Sequence, residues 1–180
     1  MGKYFEELKK SMESIAEHPN SLFIGQAVSV PGTAISTTLT GIEKTKLLEM
    51  PVEEDFQMGV SLGFALQGYI PISIFPRWNF LLLATNQLIN HVDKLKLMTG
   101  NKIQAKMIIR TAIGSENPIF PGPQHTGDFT EAFRNMGRNI NVVRLDNHEV
   151  IVSEYKKAFE RKDGVSTLLV EWVDKYHEED

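Results

Sequence analysis

The sequence predicts an α/β fold: a single three-layer domain over residues 1–180, with a mainly parallel sheet and helices on both faces. Three observations carry this expectation. Apolar runs at 21–25, 70–75, 106–111, 141–145 and 166–172 have strand length and little polar alternation, as strands covered on both faces require. Segments with apolar residues three and four apart alternate with them. Finally, the chain has 180 residues, 42% of them hydrophobic, enough for one sizeable core, and no repeat, low-complexity tract or Pro/Ser linker divides it.

Tyr4, Leu8, Met12 and Ile15 recur at helical spacing among Lys and Glu, giving an amphipathic helix. His18-Pro19-Asn20 ends it, because the residue before proline avoids helical geometry. Residues 21–25 (SLFIG) follow as a buried strand, and a Pro-, Gly- and Thr-rich loop covers 31–41. Residues 54–66 read as a helix with Gly59 and Gly63 four apart. That face is bare enough for close approach by another backbone, and the helix is expected to be buried on more than one side. After strand 70–75 a long helix is expected over 78–97, with Trp78, Leu81, Leu82, Leu88, Ile89, Val92 and Leu95 on one stripe. Phe80 and Leu83 lie off that stripe, so this helix would be sandwiched within the domain or against another subunit. Strand 106–111, a Gly/Pro-rich loop over 114–127, helix 129–136, strand 141–145, helix 149–161 and strand 166–172 complete the alternation. Residues 176–180 read as a frayed acidic end.

Nineteen Lys and Arg against 23 Asp and Glu give a net charge of −4, which offers no broad basic footprint for nucleic acid or anionic lipid. The absence of cysteine excludes disulfides, thiolate metal sites and cysteine nucleophiles. The N-terminal stretch lacks the apolar core and cleavage site of a secretion signal, and the longest strongly apolar run, 80–84, is far below the roughly 20 residues that span a bilayer. A cytoplasmic protein with a small-molecule substrate, and no nucleic acid or membrane partner, is expected.

The usual phosphate-loop, dinucleotide, zinc-protease and serine-elbow signatures are absent. Three local features remain. Glu53-Glu54-Asp55 opens the Gly-containing helix, where such charge also simply satisfies the helix dipole. Phe75-Pro76-Arg77-Trp78-Asn79-Phe80 is an aromatic-rich turn after a strand, able to cover a flat ligand or to pack as core. Pro121-Gly122-Pro123-Gln124-His125-Thr126 puts a histidine in a loop beyond a strand's carboxyl end, where catalytic groups and solvated residues both occur.

Order along the chain adds what each feature lacks alone. Pro51-Val52-Glu53-Glu54 through Gly59, Phe80-Leu81-Leu82-Leu83-Ala84 with Asn86-Gln87-Leu88-Ile89-Asn90, then Lys94-Leu95-Lys96-Leu97-Met98-Thr99-Gly100 stand in sequence. Ile108-Ile109-Arg110-Thr111-Ala112-Ile113-Gly114 and Gly122-Pro123-Gln124-His125-Thr126 follow. Over about residues 3–172 this text resembles the pyrimidine-binding domain of thiamine diphosphate enzymes. Its nearest type is the β subunit of the first component of 2-oxo acid dehydrogenase complexes, with transketolase and deoxyxylulose-phosphate synthase more distant.

The resemblance implies that Glu54 hydrogen-bonds N1′ of the cofactor's aminopyrimidine and promotes the imino tautomer that takes the thiazolium C2 proton. Glu53 is the neighbouring candidate if the register shifts by one. Phe80 is implied as the ring stacked on the pyrimidine, Trp78 as a possible second wall, and Gln87 as a residue near the pyrimidine. His125 is implied beside the substrate, as donor to a developing alkoxide. Arg110 is either part of that site or a structural ion-pair partner.

Two departures stand out. Gly25-Gln26-Ala27-Val28 replaces the acidic residue typical after the first strand's glycine, and the C-terminal domain of the β subunits has no counterpart here. The Gly-Asp-Gly segment with its downstream Asn, which holds diphosphate and Mg²⁺ in these enzymes, is also missing, and no metal ligand is assigned to this chain. The implication is the small, β-like subunit of a split thiamine diphosphate enzyme acting on a 2-oxo acid or ketose, with a diphosphate-binding partner chain in an α2β2 heterotetramer. A transketolase-type two-carbon transfer subunit and a non-catalytic, regulatory pyrimidine-domain protein are the alternatives.

Overall fold

A computed structural model describes residues 2–30, 32–117 and 119–178. Pro31, Pro118, Glu179 and Asp180, which the sequence reading placed in the two loops and the acidic end, lie outside the described residues.

The expected α/β architecture is present. Six strands form one sheet in the order β2-β1-β3-β4-β6-β5, every pair parallel. They are β1 (Ser21–Gly25), β2 (Leu47–Glu49), β3 (Ile70–Ile74), β4 (Ile108–Ile113), β5 (Ile140–Arg144) and β6 (Ser166–Trp172). On one face lie α1 (Lys3–Ala16) and α6 (His148–Glu160), which bury Leu8, Met12, Ile151 and Tyr155 against Phe23, Ile72, Ile108 and Leu169. On the other lie α2 (Glu54–Leu66), the 78–98 segment and α5 (Thr130–Met136), which bury Met58, Trp78, Leu88 and Phe133 against Ile109, Leu168 and Val170. Alternate residues of β4 and β6 thus enter opposite apolar layers, which explains their continuous hydrophobic runs.

Four expectations change. The single helix over 78–97 is broken into α3 (Trp78–Leu81), a 3-10 turn (Leu82–Ala84), a π-helical turn (Gln87–Val92) and α4 (Leu95–Met98). Its cause is polar. The Asp93 amide donates five residues back to the Leu88 carbonyl, and the buried Asp93 carboxylate accepts from the Arg138 and Asn139 amides at 2.8 and 2.6 Å. β2 is an added strand of three residues. The end is not frayed throughout: Val173–His177 forms a 3-10 turn, with Tyr176 1% exposed and its carbonyl accepting from the Gly2 amide. The bare face of α2 is also only partly covered, since Gly59 approaches Gln87 while, among the described residues, nothing lies within 4 Å of a side chain added at Gly63.

Candidate functional site

The chain leaves β2 at one edge and crosses β1 to enter β3, so the carboxyl ends of β1 and β3 form the crevice where parallel sheets place ligands. Gly25 permits their close approach: a Cβ there would lie 2.5 Å from the Ile74 carbonyl oxygen. Buried Gln57 on α2 seals these ends, its amide donating to the Ile74 carbonyl at 2.9 Å and to Ser73 Oγ at 3.2 Å. Ser61 Oγ adds a 3.0 Å bond to Ser73 Oγ. Those bonds fix the register of α2 on the sheet and bring its first turn, with Glu54, to the crevice.

Glu54 is 3% exposed, whereas Glu53 is exposed and extended ahead of the helix. Glu54 Oε1 accepts from Gln26 Nε2 at 3.1 Å. Its carboxyl thus stands in the first turn of α2 with that amide as its donor. Gln26 itself is held by the turn behind it. The Glu49 carboxylate accepts from the amides of Ala27 and Ser29 and from Ser29 Oγ, locking Ala27 in the left-handed region at φ 55°. Burial opposes the Glu49 charge, but the hydrogen bonds from Ser29, Ala27 and Val28 outweigh it and hold the carboxyl below its ordinary range.

Beside this crevice opens a cavity of about 390 Å³ at the ends of β1, β3, β4 and β6, lined among others by Gln26, Thr33, Arg77, Phe80, Ser115 and Val173. Its β4 side depends on Gly114, at φ +80°, where a Cβ would sit 2.4 Å from Asp174 Oδ2. Phe80 and His125 meet as tilted rings 6.0 Å apart, and Arg77 Nη1 donates to the His125 carbonyl at 3.5 Å, tying the histidine loop to the β3 turn. The wall therefore combines an aromatic face and a guanidinium, and the His125 imidazole stands next to Phe80.

Gln87 Nε2 donates to Asp55 Oδ2 at 3.2 Å, in the first turn of α2. Trp78 is 1% exposed, with its ring 4.9 Å from Phe133 and 6.2 Å from Phe129, so its body belongs to the packed layer under the cavity. Its buried indole nitrogen has no hydrogen-bond partner among the described residues. Arg110 takes the ion-pair alternative: it is fully buried, with Nε 2.6 Å from Glu171 Oε1. Phe80 and His125 are thus brought together, Glu54 is joined to the cavity wall through Gln26, and Gln87 bonds the neighbouring Asp55 and is not among the residues lining the cavity. Sequence reasoning passed over the Gln26 contact and Arg77 at the cavity, although both lie directly after predicted strands, which was the available signal. Among the described residues no group of three or more His, Asp or Glu is placed to hold a metal ion, and no helix is long and apolar enough to cross a membrane.

No protein-family model matches the chain. It is 30% identical over 110 residues to pyruvate dehydrogenase E1 component subunit beta of Gracilaria tenuistipitata var. liui, covering 59% of this chain and 34% of that relative. The subunit of the same name from Chaetosphaeridium globosum is 28% identical over 136 residues, 73% of this chain and 41% of that relative. The matches thus span between a third and about two fifths of the relatives' own length. Among solved structures, a split gene transketolase described as an inactive beta4 tetramer superposes with a TM-score of 0.69 at 15% identity, over 93% of this chain and 50% of that one. Transketolase from Campylobacter jejuni gives 0.71 at 17% identity, over 92% of this chain and 25% of that one. The chain is therefore a homologue of pyruvate dehydrogenase E1 β subunits and shares its fold with transketolases.

Proposed function

We propose that residues 1–180 are a thiamine diphosphate pyrimidine-binding domain, and that the chain serves as the β-type subunit of a split enzyme. That enzyme would cleave or form a carbon–carbon bond beside the carbonyl of a 2-oxo acid or ketose. The observation that carries the reading is Glu54, a 3% exposed carboxylate at a helix N-terminus beside the crevice, whose one hydrogen-bond donor among the described residues is a neutral amide, Gln26. A carboxylate serving only a helix dipole has no need of such burial.

The residues present fit the aminopyrimidine half of the cofactor, with a buried carboxylate for a ring nitrogen and a half-buried Phe80 for the ring face. When bound, the cofactor supplies a nucleophilic carbon and an electron sink. Glu54 would hold a proton at its carboxylate against the pyrimidine nitrogen, Gln26 would fix the carboxylate's orientation, and Phe80 would hold the ring. His125, tied back through its carbonyl to Arg77, would donate to the substrate oxygen as negative charge grows there. Diphosphate and Mg²⁺ fall to a partner chain bearing Gly-Asp-Gly and the downstream Asn, in an α2β2 heterotetramer. The β-subunit homology and the split transketolase, inactive as a β4 tetramer, support this division.

With the partner supplied, Glu54→Gln is expected to assemble normally and to lose turnover by about 10²–10⁴-fold, the usual size of a positioned proton transfer. Wild-type turnover in that variant would remove Glu54 from the chemistry and leave the non-catalytic, regulatory reading in its place.

A further inference from the structure

Five of the six arginines have an evident destination for their charge. Arg110, Arg134, Arg144 and Arg161 each pair with a carboxylate within 3.0 Å, and Arg138 is exposed to solvent. Arg77 is different. It is half-buried on the cavity wall, and among the described residues it forms no ion pair. Its one hydrogen bond there is the long 3.5 Å contact from Nη1 to the His125 carbonyl. A guanidinium has five N–H donors, so most of its capacity is unused.

The cavity makes that charge decisive. Among the described residues lining its roughly 390 Å³, Arg77 alone is charged. Thr33 and Ser115 add hydroxyls on the wall, and Phe80 adds an aromatic face. The volume is that of a small-molecule site. The backbone at Arg77 is also anchored: Phe75 and Trp78 on either side are 0% and 1% exposed, and Pro76 restricts the chain between them. A cation whose backbone is anchored in this way, with most of its donors unused, matches a planar or tetrahedral anion by paired hydrogen bonds.

We propose that Arg77 anchors an anionic group, carboxylate or phosphate, on the substrate that enters this cavity. The identity of the reaction rests on the thiamine diphosphate reading above; the anion site rests on the cavity itself. On that reading Arg77 selects a substrate whose charged end lies on the Arg77 wall while its carbonyl is near His125, and it acts as a specificity-determining residue.

Differential modification of the full-length chain by phenylglyoxal, followed by peptide mass spectrometry, tests this directly. Either pyruvate or inorganic phosphate is added at ionic strength held constant with sodium chloride. One of them is expected to slow modification of Arg77 by about tenfold at roughly ten times its half-protecting concentration, leaving Arg138 unchanged. Protection by pyruvate assigns a carboxylate, and protection by phosphate assigns a phosphate ester. No protection by either, or equal slowing at Arg138, overturns the proposal. The Glu54→Gln chain should be protected like the wild type, so failure at Arg77 and failure of the assigned carboxylate chemistry are read separately.

Discussion

Arg110 lies on β4 and Arg77 just beyond the neighbouring β3, since Ile74 faces Arg110 across the β3–β4 pair and Arg77 follows three residues later. The protein treats the two cations in opposite ways. Arg110 is fully buried, and Glu171 takes its Nε at 2.6 Å and its Nη2 at 3.0 Å, while Nη2 also donates to Thr38 Oγ1. Tyr155 and Tyr176 each donate a hydroxyl to Glu171 at 2.5 Å. Burial opposes the Arg110 charge and the facing carboxylate overcomes that penalty; burial, together with the Glu171 charge, drives both tyrosines well above their ordinary pKa. One charge is consumed by the fold, and the other is presented at a cavity. Neutralisation inside the protein is thus evidence of architecture, and its absence on a concave wall is evidence of a ligand.

The largest break in this comparison is Glu171→Gln, which leaves Arg110 buried without a counter-charge. A loss of about 3–5 kcal/mol is expected, measured as a lower urea midpoint at unchanged slope. A loss below 1 kcal/mol would show that Arg110 finds other compensation. Tyr176→Phe removes one donor to the carboxylate and should cost about 1.5–3 kcal/mol in the same assay. Arg77→Gln is the sharpest contrast and the smallest effect, within about 0.5 kcal/mol of the wild type. A loss comparable to that of Glu171→Gln would make Arg77 a structural cation and erase the distinction.

Legibility in the sequence followed periodicity. The α1 stripe is visible because Tyr4, Leu8, Met12 and Ile15 all enter one layer, each no more than 5% exposed, and the β4 and β6 runs are visible because both their faces are covered. β2 was invisible because three residues cannot show a period. The broken helix over 78–97 escaped because its apolar stripe is real, with Trp78, Leu81, Leu88, Val92 and Leu95 all buried, while a single inward carboxylate at Asp93 changes the winding. At the site, the chemistry-bearing residues came from their order along the chain, but their partners did not. Gln26 and Glu54 are 28 residues apart and Arg110 and Glu171 are 61 apart, and no local pattern announces either meeting.

The sheet order carries a consequence for biosynthesis. β6 inserts between β4 and β5, so the position beside β4 stays empty until a strand made more than fifty residues later arrives. At ordinary rates of translation that interval is on the order of 3–10 s. Throughout it, the nascent chain displays the unpaired edge of β4, with the apolar Ile109 and Ile113 on one side and the unneutralised Arg110 on the other. Charge pointing from an open edge disfavours pairing with another strand, so Arg110 would oppose edge-to-edge association until Glu171 arrives to neutralise it.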